Sequence, residues 1–194
     1  METTRIAWSE GIWTHPPVDA VERDGDLIVT CAEGSDAWRT TSYGFVHESE
    51  HGLVRPLPQD CAMEVTFTTD YDQQFDQAGI FVVADQTCWM KAGVEFADGH
   101  PQLGAVVTNP NSDWSVARMD AWAGRRVRVR VSRSGDALTV RAGLDGDELA
   151  LVRVAPFPAE AEAAAGPLAA APTRAGLVVT FHEWFLTASD SSLH

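Results

Sequence analysis

Lysine is almost missing from this chain. In 194 residues it occurs once, at Lys91, and every other basic residue except histidine is arginine. Basic residues are scarce altogether: 14 Lys and Arg stand against 28 Asp and Glu, for a net charge of −14. A surface so poor in positive charge cannot replace phosphate counterions, so nucleic acid is excluded as an expected partner. An anionic membrane surface is excluded for the same reason. Long apolar runs are missing too, and no stretch approaches the roughly 20 residues of a membrane span. The opening "METTRIAWSEGIW" has neither the basic start nor the apolar run of a signal peptide. Cysteine is limited to Cys31, Cys61 and Cys88, an odd number without the spacing of a zinc knuckle. Buried free thiols in a reducing cytoplasm are expected, and with them a cytoplasmic location.

Helical periodicity is scarce as well. Short runs of period two recur between Gly, Pro, Asp and Asn clusters, which is the pattern of an all-β sandwich or barrel. The strand candidates are "GDLIVTCA", "AMEVTFTT", "QAGIFVVA", "CWMKAGVEF", "PQLGAVVT", "WSVARM", "RRVRVRVSR", "ALTVRA", "LALVRVA" and "GLVVTFHEWFL". Short polar loops between several of them predict antiparallel hairpins. The alanine-rich segment from Pro158 to Pro172 reads differently, as a short surface turn of helix cut by its prolines and Gly166. No internal repeat or linker divides the chain, so residues 1–194 are expected to form one domain.

Side chains alternate between the faces of a strand. In the central strands, Ala78, Ile80 and Val82, then Met90, Ala92, Val94 and Phe96, then Leu103, Ala105 and Val107 form three apolar sets that predict one wall of the core. The opposite face carries Gln77, Gly79 and Phe81, then Trp89, Lys91, Gly93 and Glu95, then Gln102, Gly104, Val106 and Thr108. Tight turns at "ADQT" and "ADGH" bring Gly79, Gly93 and Gly104 side by side, and a fourth strand adds Trp114, Val116 and Arg118 to that face. Interior glycines weaken a sheet unless something approaches its backbone closely. The expectation is a glycine-floored groove edged by Gln77, Lys91, Glu95, Gln102, Arg118, Trp89 and Trp114. The competing reading is a solvated outer face whose Lys91–Glu95 pair contributes about 0–1 kcal/mol. The alternating Arg126, Arg128 and Arg130 read as a solvated strand face.

"HESEH", His47 to His51, matches the H-E-x-x-H pattern of zinc hydrolases. That pattern works on a helix, which brings histidines four apart to one side of a metal. On a strand they stand roughly 13 Å apart at ~3.3 Å per residue. Aromatic "SYGFV" before it and "GLVRPLP" after it sustain no helix, and no third ligand is evident, so no metal site is expected. No G-x-S-x-G elbow, phosphate loop or dinucleotide fingerprint occurs, and no cofactor is expected. Glycoside hydrolysis needs two carboxyls, about 5–5.5 Å apart for retention or about 6.5–9.5 Å for inversion. Glu95 is the candidate acid or base, with Glu64 or Asp76 as its partner.

Five segments, "DAWRTTSYGF", "FDQAGIFV", "CWMKAGVEF", "SDWSV" and "GPLAAAPTRAGLVVTF", resemble in sequence order the uncharacterised concanavalin A-like proteins labelled as regulation-of-enolase proteins. The resemblance runs from about Trp13 to Leu186. It implies a jelly-roll sandwich of two curved antiparallel sheets, with ligands taken on the concave face. It also marks Trp38, Arg39, Tyr43, Asp76, Gln77, Trp89, Lys91, Glu95, Asp113 and Trp114 as shared polar or aromatic positions, and it places "HESEH" in a variable hairpin. No established activity comes with it. The expected function is saccharide binding by Gln77, Gly79, Trp89, Lys91, Gly93, Glu95, Gly104, Trp114 and Arg118, with Arg39 and Tyr43 beside them. A glycosidase or lyase using Glu95 and a protein-interaction module are the alternatives. An oligomer is compatible with either.

Overall fold

The computed structural model describes residues 3–190 together with Ser192 and Leu193. Its strands, in chain order, are β1 (Thr4–Arg5), β2 (Ile12–Trp13), β3 (Asp19–Arg23), β4 (Asp26–Thr30), β5 (Ala37–Arg39), β6 (Val46–Glu48), β7 (His51–Pro56), β8 (Cys61–Thr69) and β9 (Gln77–Asp85). They continue with β10 (Cys88–Ala97), β11 (His100–Thr108), β12 (Ser112–Arg118), β13 (Val127–Ser134), β14 (Ala137–Leu144), β15 (Ala150–Pro156), β16 (Ala164–Ala170) and β17 (Val178–Ala188). One sheet runs β15-β14-β13-β8-β17-β4-β3, with β1 added against β17; the second runs β12-β11-β10-β9-β16-β7-β2. All strand pairs in both are antiparallel. Among the described residues no helix is long and apolar enough to cross a membrane.

The alternation read from the sequence sets the layers. Ala78, Ile80, Val82, Met90, Ala92, Val94 and Ala105 of the seven-stranded sheet are buried against Met63, Val65, Phe67, Val129, Val131, Phe181 and Trp184 of the other sheet. Burying an aliphatic or aromatic side chain fully contributes about 1.5–3 kcal/mol, so this interior supplies most of the driving force.

The alanine-rich segment departs from expectation. It is not helical, and only its start, with a turn at Ala159 and Glu160, is exposed: β16 lies between β9 and β7, with Ala165, Leu168, Ala169 and Ala170 buried. Space selects the small residues here. A Cβ on Gly166 would stand 2.0 Å from the Leu53 carbonyl oxygen and 2.7 Å from the Trp184 ring. Pro167 has no N–H to donate, and the pairing with β7 skips Gly166 and Pro167, resuming at Leu168 opposite Gly52.

A two-stranded hairpin, β5-β6, lies on the face of the seven-stranded sheet that points away from the core. Ala37 and Trp38 cover Phe81, Trp89, Val106 and Leu168 there, forming a second, smaller apolar cluster. The hairpin tip is tightly bonded: the Thr40 N–H donates to the Phe45 carbonyl at 2.8 Å and the Gly44 N–H to the Thr40 carbonyl at 2.7 Å. Beside the tip, β5 is tied to the start of β12 and the connection before it by the Arg39 N–H to Ser112 Oγ at 2.9 Å and Arg39 Nε to the Pro110 carbonyl at 3.2 Å.

Candidate functional site

Across β9, β10, β11 and β12 the register aligns Gly79, Gly93, Gly104 and Val116, as the turns required. The close approach that selects these glycines is made by the neighbouring strand. A Cβ on Gly79 would lie 2.1 Å from the Ala92 carbonyl oxygen, one on Gly93 2.2 Å from that of Ala78, and one on Gly104 2.0 Å from that of Ser115. The row is therefore a condition of the sheet itself. Gly93 and Gly104 also floor a shallow depression with Gln77, Lys91, Glu95 and Trp114, while Gly79 does not line it.

That depression opens into a cleft of about 320 Å³ between the sheet and the hairpin, lined by Asp36, Trp38, Tyr43, Phe45, His47, Phe75, Gln77, Lys91, Glu95 and Trp114, with Gly34 and Pro172. One wall is a run of aromatic rings. Trp38 meets Trp114 and Tyr43 edge-on, at 6.5 and 5.6 Å between centroids; Tyr43 stacks on Phe45 at 5.2 Å, and Phe45 meets His47 at 4.5 Å. Tyr43, Phe45 and Trp114 remain 56%, 42% and 38% exposed, so these large rings are open to solvent where a ligand can cover them.

The opposite side is polar and mostly self-satisfied. Lys91 Nζ donates to Asp36 Oδ1 at 2.7 Å, the Ala37 N–H to the same oxygen at 2.8 Å, and Gln77 Nε2 to it at 3.2 Å. Gln77 also reaches the Phe75 carbonyl at 3.2 Å. Lys91 and Gln77 are both buried. Glu95 differs: its Oε1 is shielded from water and has no hydrogen-bond partner. Burial pushes the Glu95 carboxyl up to about 7; Lys91 opposes that rise and Asp36 adds to it.

Other expected site residues fall elsewhere. Trp89 is 3% exposed, sealed beneath the hairpin in the Phe81–Trp38 cluster, and borders a separate groove of about 280 Å³ beyond the hairpin. Arg118 does not line the cleft and pairs with Asp120 at 2.6 Å. Arg39 anchors the hairpin and pairs with Glu48. Gln102 donates to the Ala97 carbonyl, and Asp113 pairs with Arg153 of the other sheet at 3.1 Å. Neither proposed carboxyl partner of Glu95 is beside it. Glu64 sits on β8 of the opposite sheet, 3.7 Å from Arg128. Asp76 is fully buried in a forked pair with Arg174, from 2.7 to 3.0 Å, and accepts the backbone N–H groups of Asp72 and Gln73.

Asp36, Trp38, Phe45, His47 and Phe75 line the cleft without having been assigned to it. Asp36, Trp38 and Phe45 belong to "DAWRTTSYGF", whose position as a hairpin folded over the sheet has no signal in strand alternation. "HESEH" is strand, turn and strand: His47 is on β6 and His51 opens β7. His51 is buried, with Nδ1 donating to the His15 carbonyl at 2.9 Å and Nε2 accepting the Ala32 N–H at 3.0 Å. Burial lowers its pKa, and both ring nitrogens are committed.

A family model described as "Protein of unknown function (DUF1349)" matches residues 13–189. The chain belongs to that family. It is 38% identical over 188 residues, covering 97% of this chain and 94% of the relative, to "Regulation of enolase protein 1" of Saccharomyces cerevisiae. A solved structure of a functionally unknown S. cerevisiae protein superposes with a TM-score of 0.90 at 37% identity, over 96% of this chain and all of that one. More distant solved structures share the fold of this DUF1349 member. The metal-free lectin I-B4 of Griffonia simplicifolia matches with a TM-score of 0.55 at 16% identity, over 94% of each chain. A Bacillus halodurans xylan β-1,4-xylosidase gives 0.67 at 13% identity, over 85% of this chain but only 33% of its own length.

Proposed function

We propose that this protein binds a saccharide in the cleft between the β5-β6 hairpin and the outer face of the seven-stranded sheet. The observation that carries this reading is the pairing of an open aromatic wall, Trp38–Tyr43–Phe45–Trp114, with a fixed polar floor of Gln77, Lys91, Asp36 and Glu95 in one cleft. Sugar rings present an apolar C–H face and a rim of hydroxyls. A concave site with aromatic walls and a few convergent polar groups is suited to such a ligand. The lectin-like fold is consistent with it, although a fold alone does not carry an activity.

Lys91, held by Asp36, keeps N–H donors to spare, and Gln77, whose amide N–H groups are taken by Asp36 and Phe75, offers its Oε1 as an acceptor, so little ordering is needed on binding. Trp114 and Tyr43 supply the stacking surface. A thermal-shift panel of neutral, amino and acidic sugars tests the reading. A sugar at a hundredfold excess over its Kd should stabilise the fold by about 2.7 kcal/mol. Trp114→Ala and Tyr43→Ala should each erase the shift while leaving the unliganded midpoint within a few degrees. A blank panel at millimolar sugar would defeat it.

Glu95 favours a second reading, hydrolysis or elimination on an oligosaccharide. A carboxyl raised to about 7 is half protonated at neutral pH and suited to act as a general acid. The same panel, extended to oligosaccharides and assayed for new reducing ends, separates turnover from binding.

A further inference from the structure

The cleft has an uncompensated charge. Asp36, Lys91 and Glu95 are the Asp, Glu, Lys and Arg side chains among its lining residues. Lys91 and Asp36 neutralise each other at 2.7 Å, and among the described residues no arginine lines the space. Among the described residues that leaves Glu95 as the cleft carboxylate without an ion pair, its Oε1 without a hydrogen-bond partner. The same cleft is lined by Trp38, Tyr43, Phe45, Phe75 and Trp114. Aromatic faces attract cations through their quadrupoles, most strongly where water is excluded. Aromatic rings and a carboxylate without a hydrogen-bond partner in one cleft form a receptor for positive charge.

We propose that the ligand of this cleft carries a cationic nitrogen, so that within the saccharide class it is an amino sugar with a free amine, held between the aromatic wall and the Glu95 carboxylate. The inference rests on the saccharide reading for the sugar and on the charge balance for the amine. Lys91 does not repel such a ligand, because its charge is already matched by Asp36. The groups that face Glu95 are Lys91 on its own strand and Asp36 before β5; Tyr43 and His47 of the hairpin are the remaining titratable groups on the cleft.

The proposal makes an opposite pH prediction from one based on a neutral sugar. Burial keeps Glu95 largely protonated below about pH 7. A ligand of fixed positive charge must draw that proton off, so its affinity rises between about pH 5.5 and about pH 8. A neutral sugar accepting a hydrogen bond from protonated Glu95 would weaken over the same range.

Calorimetry on the full chain tests it, with glucosamine and galactosamine, their N-acetyl derivatives, the neutral parent sugars, glucuronate, and choline as a probe of fixed charge. Free-amine sugars are expected to bind about tenfold or more tighter than the N-acetyl and neutral forms, and choline binding should strengthen with pH. Glu95→Gln, checked for folding by its thermal midpoint, should abolish both the preference for free amines and the rise of choline affinity with pH. Neutral sugars or glucuronate binding as well as the amines would overturn the cationic ligand and leave the saccharide reading standing. Glu95-dependent choline binding with every sugar blank would uphold the cationic ligand and sink the saccharide. Silence from both would remove both.

Discussion

Lys91 and Glu95 stand four residues apart on one face of β10, yet their surroundings give them opposite roles. Lys91 is committed within the protein: Asp36 holds it at 2.7 Å, and their side chains are only 6% and 17% exposed. Removing one member of a buried pair strands the other, which typically costs about 3–5 kcal/mol, whereas replacing both is far milder. Lys91→Met should therefore lower stability by about 3 kcal/mol, because it leaves Asp36 with only the Ala37 N–H and Gln77. Asp36→Asn together with Lys91→Met should recover most of that loss. Urea denaturation of the two single variants and the double variant measures the coupling. Strict additivity would mean that the pair is no structural anchor. Loss of binding in a single Lys91 variant is thus ambiguous, and Trp114 and Tyr43 are the cleaner probes.

At the scale of the element, the glycine row ties the sheet to the cleft. Gly104 pairs with Gly93 on one side and Val116 on the other, and its missing Cβ leaves room for the Ser115 carbonyl. Backbone cannot rotate aside as a side chain can. Gly104→Ala should therefore destabilise the fold by about 2 kcal/mol, within the range for overpacking, and lower the melting temperature by roughly 4–8 °C. An unchanged melt would show that β11 and β12 separate freely. Period-two alternation made the central strands and their register legible, because Ala78–Val82 and Met90–Val94 alternate cleanly against a buried face. It could not reveal β16, where alanines of low β-propensity are selected by the space beneath Leu53 and Trp184. Nor could it reveal the hairpin. Trp89 reads as a groove residue by alternation, but Trp38, fifty-one positions earlier, covers it. The hairpin brings Trp38, Tyr43, Phe45 and His47 to the cleft, and the aromatic wall they form with Trp114 is a tertiary fact.

Over the whole molecule, the cleft makes stability depend on pH. Glu95 has a folded pKa of about 7 against an ordinary value of 4.5. The folded state thus holds a proton that the unfolded chain has lost, and stability falls as pH rises from about 4.5 to about 7. At 1.36 kcal/mol per unit, the loss is about 3 kcal/mol at most. Glu50, whose carboxyl burial also raises, acts in the same direction. His51 acts in reverse: burial lowers its pKa, so its contribution is lost as pH falls below the ordinary histidine value of 6.5. Comparing Glu95→Gln with the natural chain cancels the Glu50 and His51 contributions. The variant should gain stability relative to the natural chain as pH rises from about 5 to about 8, with little difference at the acid end, as read by denaturant melts across that range. A difference that stays flat with pH would mean that Glu95 ionises freely and is not the uncompensated charge of the cleft. A gain in stability on removing a site residue is expected where a fold tolerates a buried, unpaired carboxylate for the sake of a ligand that completes it.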